Sequence, residues 1–428
     1  MRTYKGYFKN LDDPEDTSFE PHPTNYPVTK LEYPNNDACE SFILLTPKDK
    51  NHYDPIMCLE LSLHAIIKSY LTPAQQSLFG TFPDAMFSDT SSPTPSPPSS
   101  SIDLPQDAST ENSTLPVPPV TDSDRPDHLK LFQRALRRRD GLLFQKTMTD
   151  INHLLRTLKY PPLPTDPFAS SPNNIFRETV KTWTSGIPYD VLTRIIDETY
   201  QRSVGPHVHT LNRYSAFSSE VYGELMPSLT SEIISLTGIN TNSLLIDLGS
   251  GVGNVVMQAS LQSGCRSFGI ELMQAPAKIA KEQLQQFKTR CRMWGVSMGE
   301  VELEEGDMLT SARVTELLPQ ADVVLVNNKV FLQSLNEALR PRFLDLKEGA
   351  IVVSLKPFVS SLNARVTERN VDDISAIFEV VERQYRSGGV SWGSNSGCYY
   401  LHRVDRAGYA GIRQRFEESR ARSSRSRR

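Results

Sequence analysis

The sequence has few cysteines, and they form no recognisable framework. The five cysteines are scattered, odd in number, and nowhere spaced as C-x-x-C. This pattern argues against a set of disulfides or a zinc site and is typical of a reducing compartment. His207 and His209 stand close together, but no cysteine or third histidine accompanies them, so we predict a solvated turn and no metal.

Signals for export and for membrane insertion are lacking as well. The first residues, MRTYKGYFKNLDDPEDTS, contain no apolar segment of the kind found in a secretory signal. No apolar run is long enough to cross a bilayer. We therefore expect a soluble, intracellular protein that does not bind a membrane. The net charge of −4 selects no partner by itself.

Composition and periodicity divide the chain into five parts. Residues 85–126 are mostly Ser, Thr, Pro and Asp, with too little apolar surface to fold, so we predict a disordered linker. Residues 127–219 repeat apolar side chains every three to four positions, which predicts a helical subdomain. Residues 1–84 carry no signal for a role. Residues 220–405 contain strand-like and helix-like runs that alternate. Residues 406–428 are a basic tail that we expect to be disordered.

From Leu244 onwards, apolar strand-like runs alternate with helix-like runs. The strand-like runs are LLIDLG, RSFGIEL, VELEEGDM, ADVVLVNN and GAIVVSLKPF, and two more, IFEVVERQYR and CYYLHRVD, follow late in the chain. This alternation predicts a parallel, doubly wound α/β sheet with helices on both faces. We expect the two late strands to extend the sheet at its far edge, which makes seven strands in all.

The stretch DLGSGVGN places three glycines directly after the first of these strands. Gly249, Gly251 and Gly253 contribute no side-chain packing and cost backbone entropy, so this turn must require bare main chain. In an open α/β sheet a ligand lies beyond the carboxyl ends of the strands, and the first turn is its usual cradle. A dinucleotide fingerprint needs a glycine where this chain has Asn254, so the spacing favours a cofactor without a pyrophosphate.

An acidic residue stands at the end of each of the first three strands. Asp247 ends the first, and Glu271 ends the second, where a carboxylate can accept both hydroxyls of a ribose. Asp307 and Met308 end the third and suit an adenine amine and an adenine ring. Any one of these acids could be an ordinary turn residue. Together with the glycines they describe an S-adenosylmethionine pocket and predict a Rossmann-like class I methyltransferase.

The segment after the fourth strand narrows the substrate class. Methylases of exocyclic base amines carry an Asx-Pro-Pro-aromatic segment there, and arginine methyltransferases carry a pair of glutamates, whereas this chain reads LVNNKVF. The segments FSSEVYGEL, DLGSGVGNVV, FGIE, LVNN, SLKPF, VSW and CYYLHRVD occur in this order within about residues 187–405. Together they resemble the non-SET histone lysine methyltransferases of the disruptor-of-telomeric-silencing family, in its fungal form.

The resemblance implies where the cofactor would bind. The segment that closes over its methionine end would comprise Tyr222, Gly223, Glu224 and Leu225. The cradle would comprise Leu245, Ile246, Asp247, Leu248, Gly249, Ser250, Gly251, Val252, Gly253 and Asn254. Asp247 would accept the methionine amino group, Glu271 would bind the ribose, and the pair Asp307 and Met308 would bind the adenine.

The resemblance also implies a narrow channel for a substrate lysine, to which the helical subdomain would contribute. Its walls would be Tyr200, Phe217, Asn327, Trp392 and Tyr400. A lysine amine, with a reference pKa of about 10.4, attacks only when neutral, and burial among aromatic walls lowers that pKa. The methyl group would pass in line from sulfur to nitrogen, so alignment would supply most of the catalysis. We therefore expect no general base, and Asn327 would position the amine.

Two features of the predicted channel leave alternatives open. Trp392, Tyr399 and Tyr400 are also compatible with ordinary core aromatics on an edge strand, where one of the adjacent tyrosines must face away from the pocket. Family members usually have an aromatic residue after the two asparagines, where this chain has Lys329. Its charge would repel a sulfonium and an incoming lysine, which bears on the rate and on the methylation state more than on the fold.

The function implied by the family is that of a nuclear S-adenosylmethionine-dependent histone-lysine N-methyltransferase. Its substrate would be the nucleosome-core lysine at position seventy-nine of histone H3, with roles in telomeric silencing, chromatin regulation and the DNA-damage checkpoint. The basic tail would contact DNA phosphate or an acidic histone surface, without sequence-specific DNA reading. The alternatives are a methyltransferase of another protein or of RNA, and a chromatin-binding scaffold that Lys329 has weakened catalytically.

Overall fold

The structure is a computed structural model of the 428-residue chain, and it describes residues 3–49, 52–81, 126–166, 173–211, 223–359 and 374–425. The predicted linker over residues 85–126 lies outside these ranges except for its last residue. Phe217 and Tyr222, two of the predicted site residues, also lie outside them. No helix in these ranges combines the length and the apolar character that a membrane span requires.

Short strands and a series of helices make up the N-terminal half. The strands are β1 (Tyr4–Gly6), β2 (Val28–Glu32), β3 (Cys39–Ile43) and β4 (Leu45–Pro47). The helices are α1 (Pro55–Tyr70), α2 (Pro73–Gln76), α3 (His128–Arg138), α4 (Gly141–Lys159), α5 (Ile175–Lys181), α6 (Tyr189–Ser203) and α7 (Val208–Leu211). The carboxylates of Asp54, Asp127 and Asp140 cap α1, α3 and α4 by accepting hydrogen bonds from free backbone N–H groups of the first turn.

The residues before the linker pack with the helices after it. Strands β1 and β4 pair with each other, as do β2 and β3, while β2 packs on α4 and α1 packs on α6. Phe8 and Leu59 share one buried core with Phe132 and Phe144. The sequence analysis separated residues 1–84 from the helical subdomain, because contacts across a long insertion leave no trace in local periodicity.

The C-terminal half is built on a seven-stranded sheet. Its strands are β5 (Leu244–Leu248), β6 (Arg266–Glu271), β7 (Val301–Glu305), β8 (Val323–Val326), β9 (Ile351–Ser354), β10 (Phe378–Tyr385) and β11 (Gly397–Val404). The order across the sheet is β10-β11-β9-β8-β5-β6-β7. Strands β5 to β9 are parallel, and β11 runs antiparallel to both β9 and β10. This confirms the predicted doubly wound sheet with the two late strands at its far edge.

Helices cover both faces of the sheet. They are α8 (Pro227–Thr237), α9 (Asn254–Ser263), α10 (Gln274–Trp294), α11 (Ala312–Leu317) and α12 (Gln333–Leu339). On β5, Leu245 packs in the same core as Phe287 of α10, whereas the next residue, Ile246, packs with Val314 of α11 and Leu339 of α12. Since successive side chains point to opposite covered faces, every residue of β5 is buried and the strand is almost wholly apolar.

The segment predicted as a disordered tail contains a helix, α13 (Arg406–Arg425). The guanidinium of Arg406 donates to the carbonyls of Leu344 and Leu346, at 2.7 Å each, and so fixes the first turn. Further along, Arg413 pairs with Glu417 one turn away, at 3.0 Å. The prediction rested on Arg and Ser content alone and did not weigh such pairs, which support a helix.

Candidate active site

The turn after β5 has the backbone that its glycines predicted. Gly249, Gly251 and Gly253 have φ values of 91°, 55° and 84°, in the left-handed region that side-chain-bearing residues rarely adopt. The N–H groups of Gly249 and Ser250 both donate to the carbonyl of Ile270 at the end of β6, at 2.9 Å. The turn is therefore held against the neighbouring strand with its main chain exposed above the sheet.

A cavity of about 350 Å³ lies over this turn. The predicted site residues that line it are Gly223, Glu224, Leu225, Asp247, Gly249, Ser250, Gly251, Val252, Asn254, Glu271, Met308 and Asn327. Leu245, Ile246 and Leu248 are buried in β5 and support the turn from below. Gly253 is the N-cap of α9 and stands outside the lining, as do Asp307, Tyr200, Trp392 and Tyr400. The roles assigned to all these residues stay predictions.

Asp247 is a buried carboxylate at the floor of the cavity. Its side chain is only 3 % exposed, and burial together with the charge of Glu271 raises its pKa to about 7. No described residue forms an ion pair or a hydrogen bond with this carboxylate. A buried acid without a partner is costly, so the site is suited to a ligand that brings a positive charge.

Glu271 is fixed by the same turn. One carboxylate oxygen accepts the N–H of Gly251 and the other accepts the N–H of Met273, both at 2.8 Å. Burial raises its pKa although these hydrogen bonds act in the opposite direction. Each oxygen keeps further acceptor capacity, which suits it to the hydroxyls of a ribose.

The predicted adenine end of the cavity is apolar. Met308 lines it, whereas Asp307 accepts a hydrogen bond from its own turn, from the N–H of Leu309 at 2.9 Å. In addition to Met308, the cavity lining contains two exposed leucines, Leu272 and Leu332, which are 55 % and 53 % exposed.

The sequence analysis missed several apolar residues of the lining. They are Val255, Leu272, Met273, Leu325, Phe331, Leu332 and Leu335. The positions of these residues in the sequence could have identified several of them as lining residues. Leu272 and Met273 directly follow the acid that ends β6, and Phe331 to Leu335 follow β8, where strand ends meet at one edge of the sheet.

One wall of the cavity is the segment Gly223–Met226, which we call the lid. The lid pairs with the chain before β11, because Leu225 bridges Val390 and the N–H of Met226 donates to the carbonyl of Gly389 at 2.9 Å. Trp392 lies against the lid rather than in the cavity. A Cβ added at Gly223 would stand 2.5 Å from the Trp392 ring, so this contact requires glycine.

The two adjacent asparagines after β8 have different roles. Asn327 lines the cavity and donates from its amide to the carbonyl of Gly223 in the lid, at 3.0 Å. Asn328 is fully buried and joins the ends of two strands. Its oxygen accepts the N–H groups of Leu355 and Lys356, at 2.9 and 2.8 Å. Asn328 is therefore structural, and of the two asparagines only Asn327 lines the cavity.

The adjacent tyrosines of β11 point to opposite faces of the sheet, as alternation requires. Tyr399 is fully buried and its hydroxyl donates to Glu232 of α8 at 2.6 Å, so it faces away from the cavity side. Tyr400 stands on the other face, directly opposite Glu382 of β10. Lys329, the departure from the family pattern, is exposed.

Tyr200 reaches the lid from α6. Its hydroxyl donates to the carboxylate of Glu224 at 3.1 Å. Within the described residues, no three His, Cys, Asp or Glu side chains come together as a metal site. The site is therefore an exposed main-chain turn, the buried Asp247 with the partly buried Glu271, an apolar wall and a lid held by polar contacts.

The family model and the individual relatives that match this chain have descriptions that agree with one another. Residues 200–404 match the family model described as histone methylation protein DOT1. A histone-lysine N-methyltransferase, H3 lysine-79 specific, of Mycosarcoma maydis is 32 % identical, over 95 % of this chain and 61 % of its own length. The protein of the same name from Cryptococcus neoformans var. neoformans serotype D (strain JEC21) is 34 % identical, over 94 % of this chain and 65 % of its own.

A third relative of that name, from Gibberella zeae, is 43 % identical over 50 % of this chain and 43 % of its own length. The chain thus spans less than two thirds of the length of these relatives. The matched residues contain the glycine turn, Asp247, Glu271 and the two asparagines. This part of the chain is therefore similar to the DOT1 histone methylation family.

Proposed function

We propose that the protein is an S-adenosylmethionine-dependent histone-lysine N-methyltransferase that acts on lysine 79 of histone H3 in nucleosomes. The observation that carries the proposal is the buried Asp247 at the floor of a cavity above an exposed main-chain turn, where no described residue forms an ion pair or a hydrogen bond with its carboxylate. The identity of the substrate is proposed from the relatives at 32–43 % identity, each of which is named for H3 lysine 79.

The residues of the cavity fit this cofactor. Asp247 would accept the cationic amino group of its methionine part, and Glu271 would accept the ribose hydroxyls. The apolar wall around Met308 and Leu272 would pack against the adenine. When bound, the cofactor supplies an electrophilic methyl group on a sulfonium. The glycines of the turn leave the main chain accessible to it, since a side chain at Gly249 would stand against Met308 and Phe331 of the cavity lining.

Asn327 in the cavity wall, together with aromatic residues beyond the cavity, would orient a substrate lysine. Asn327, fixed by its bond to Gly223, presents an amide that can align an amine without removing its proton. Tyr400 and Trp392 would provide aromatic walls, which lower the pKa of a lysine amine and attract the methylated product. Alignment and desolvation would then supply the catalysis, with no resident base.

The nucleosome would be the partner and the nucleus the site of action. The helix α13 carries many arginines beside the catalytic sheet, which suits contact with DNA phosphate or with an acidic histone surface. Telomeric silencing, chromatin regulation and the DNA-damage checkpoint would be the cellular roles. Such contacts would be independent of DNA sequence and would weaken with salt.

The experiment is methyl transfer from labelled cofactor to intact nucleosomes, to free histone H3 and to RNA. We expect label on H3 in intact nucleosomes and none where arginine replaces the lysine at position seventy-nine. Label on RNA or equally on free H3 would favour another substrate. Cofactor binding without any transfer would favour the alternative of a chromatin-binding scaffold, which the charge of Lys329 suggested.

A further inference from the structure

A cluster of charged side chains is buried between α6, α10 and β3. We call it the α6 cluster, and it consists of Glu40, Glu198, Arg202, Arg290 and Trp294. Both guanidiniums bind Glu40, since a nitrogen of Arg290 and one of Arg202 each lie 3.1 Å from the same carboxylate oxygen. Glu198 is fully buried, accepts the indole N–H of Trp294 at 3.1 Å and lies 3.7 Å from Arg290.

The α6 cluster is completed by residues from the N-terminal part of the chain. The hydroxyl of Tyr33 donates to Glu198 at 2.9 Å, and the hydroxyl of Ser62 donates to the same oxygen. The hydroxyl of Tyr70 donates to the carbonyl of Trp294 at 2.7 Å. Residues far apart in the sequence are thereby bonded to α6 and to the end of α10.

The opposite side of α6 contacts the candidate active site. Tyr200 comes two residues after Glu198, which places it about 200° further round the helix. It packs against the small apolar cluster that contains Val252 of the glycine turn. Its hydroxyl donates to Glu224 of the lid at 3.1 Å. One helix therefore joins the α6 cluster to two walls of the cofactor cavity.

The chemistry of the α6 cluster suits it to fix the orientation of helix α6. Buried ion pairs add little net stability, because the loss of hydration offsets the attraction between the charges. Guanidinium–carboxylate contacts nevertheless have a strict geometry, and a network of them permits few arrangements. The α6 cluster therefore restrains the rotation of α6 about its axis, and that rotation decides where Tyr200 points.

We propose that Glu198 is a positioning residue for cofactor binding. Through α6 it holds Tyr200 against Glu224 and beside Val252, and so keeps the lid in place over the cavity before the cofactor arrives. The proposal rests on the proposed function only for the identity of the ligand. The coupling between Glu198 and the lid is a property of the protein alone.

The test measures S-adenosylmethionine affinity by calorimetry for Glu198→Gln, Tyr33→Phe, Tyr200→Phe and the double variant Glu198→Gln/Tyr200→Phe. Tyr33→Phe removes one hydroxyl from the α6 cluster and keeps the ring, which guards against misfolding. We expect each single variant to bind about 2- to 10-fold more weakly, the effect of one lost hydrogen bond. We expect the double variant to bind no more weakly than Tyr200→Phe, because Glu198 acts through Tyr200.

A second readout needs no cofactor. Amide hydrogen exchange at Glu224 and Met226 in the lid should be faster in Glu198→Gln and in Tyr33→Phe than in the unaltered protein. The matched control is Glu32→Gln, which alters the buried pair of Glu32 with Lys159, 2.6 Å apart on β2 and α4. It should lower the melting temperature and leave both cofactor affinity and lid exchange unchanged.

Three results would overturn the inference. One is a Glu198→Gln protein whose lid exchange and cofactor affinity match those of Glu32→Gln. Another is an additive loss of affinity in the double variant, which would make Glu198 and Tyr200 independent. The third is slower or equal lid exchange in Tyr33→Phe. If the unaltered protein fails to bind the cofactor at all, the proposed function fails, whereas lid exchange still decides the inference.

Discussion

Two buried acidic sites in this molecule have opposite surroundings. Asp247 forms no ion pair with any residue in the described part of the chain, and burial together with the charge of Glu271 raises its pKa to about 7. Glu40 is partly buried beside two arginines, with its side chain 18 % exposed. Burial by itself would raise its pKa, but the hydrogen bond from Arg290 and the charge of Arg202 hold that pKa below its usual value.

The difference separates a ligand site from a structural one. A buried carboxylate without a partner lowers the stability of the fold, so its presence in a cavity indicates a ligand that neutralises it. A buried carboxylate surrounded by cations is already neutralised and has no need of a ligand. We therefore expect substitutions at the two sites to change stability in opposite directions and to differ in their effect on cofactor binding.

The largest effect should come from closing the ligand site. We expect Gly251→Arg to abolish cofactor binding in calorimetry, because its side chain would enter the cavity from a backbone with φ of 55°. The control is Gly349→Arg, where φ is 78° and an added Cβ meets nothing within 4 Å. Retained binding in Gly251→Arg would refute the assignment of the turn as the cofactor cradle.

The next effect concerns the stability of the structural site. Arg290→Met leaves Glu40 and Glu198 buried without this cation, so we expect the free energy of unfolding to fall by about 3–5 kcal/mol. Arg313, which binds Glu302 and Glu316 at the surface, is the matched control, and its replacement by Met should cost much less. Equal losses in denaturant titrations would contradict the structural role of the buried site.

Replacing Asp247, which has no partner among the described residues, should change stability in the opposite direction. Asp247→Asn removes a buried charge, so at pH 8 we expect the free energy of unfolding to rise by roughly 1–3 kcal/mol. Cofactor affinity should fall by about 10- to 100-fold, the effect of one charged hydrogen bond. Asp322→Asn, at the other end of the strands, should leave affinity unchanged. A destabilised Asp247→Asn protein would show that the carboxylate has an internal partner.

The pH dependence follows from the direction of the same shift. The folded protein holds the proton of Asp247 up to about pH 7, whereas the unfolded chain releases it near pH 4. The contribution of Asp247 to stability therefore falls between about pH 4 and pH 7 and levels off above. Cofactor affinity should rise from pH 6 to pH 8, and the rise should be absent in Asp247→Asn.

The smallest effect is expected at Lys329. Its exposed charge acts through solvent, so Lys329→Phe should raise the rate of methyl transfer by no more than about fivefold. Lys329→Gln separates loss of charge from gain of an aromatic ring, and most of the rise should appear in both. A lower rate in both variants would show instead that the lysine assists the reaction.

The two sites also differ in how far the sequence could predict them. The glycine turn, Asp247 and Glu271 could be predicted because strand periodicity places them at one edge of a parallel sheet. The α6 cluster could not, since Glu40 and Arg290 are 250 residues apart and neither belongs to a local pattern. Leu272 and Leu332 were missed because an exposed apolar residue after a strand gives no periodic signal.

The two asparagines after β8 show the same limit at close range. The sequence places the two asparagines side by side, and local pattern could not tell that one of them is buried. The structure separates them, because Asn328 closes the gap between the ends of β8 and β9 whereas Asn327 faces the cavity. The family resemblance singled out Asn327, and the tertiary contacts give the physical reason why Asn327 rather than Asn328 lines the cavity.

The most direct test of the account is a crystal structure of the protein with S-adenosylhomocysteine. The account predicts that its amino group binds the carboxylate of Asp247 and that its ribose hydroxyls bind Glu271. Its sulfur should face Asn327. Density for the ligand elsewhere, or an Asp247 carboxylate that a protein side chain already neutralises, would contradict the central claim.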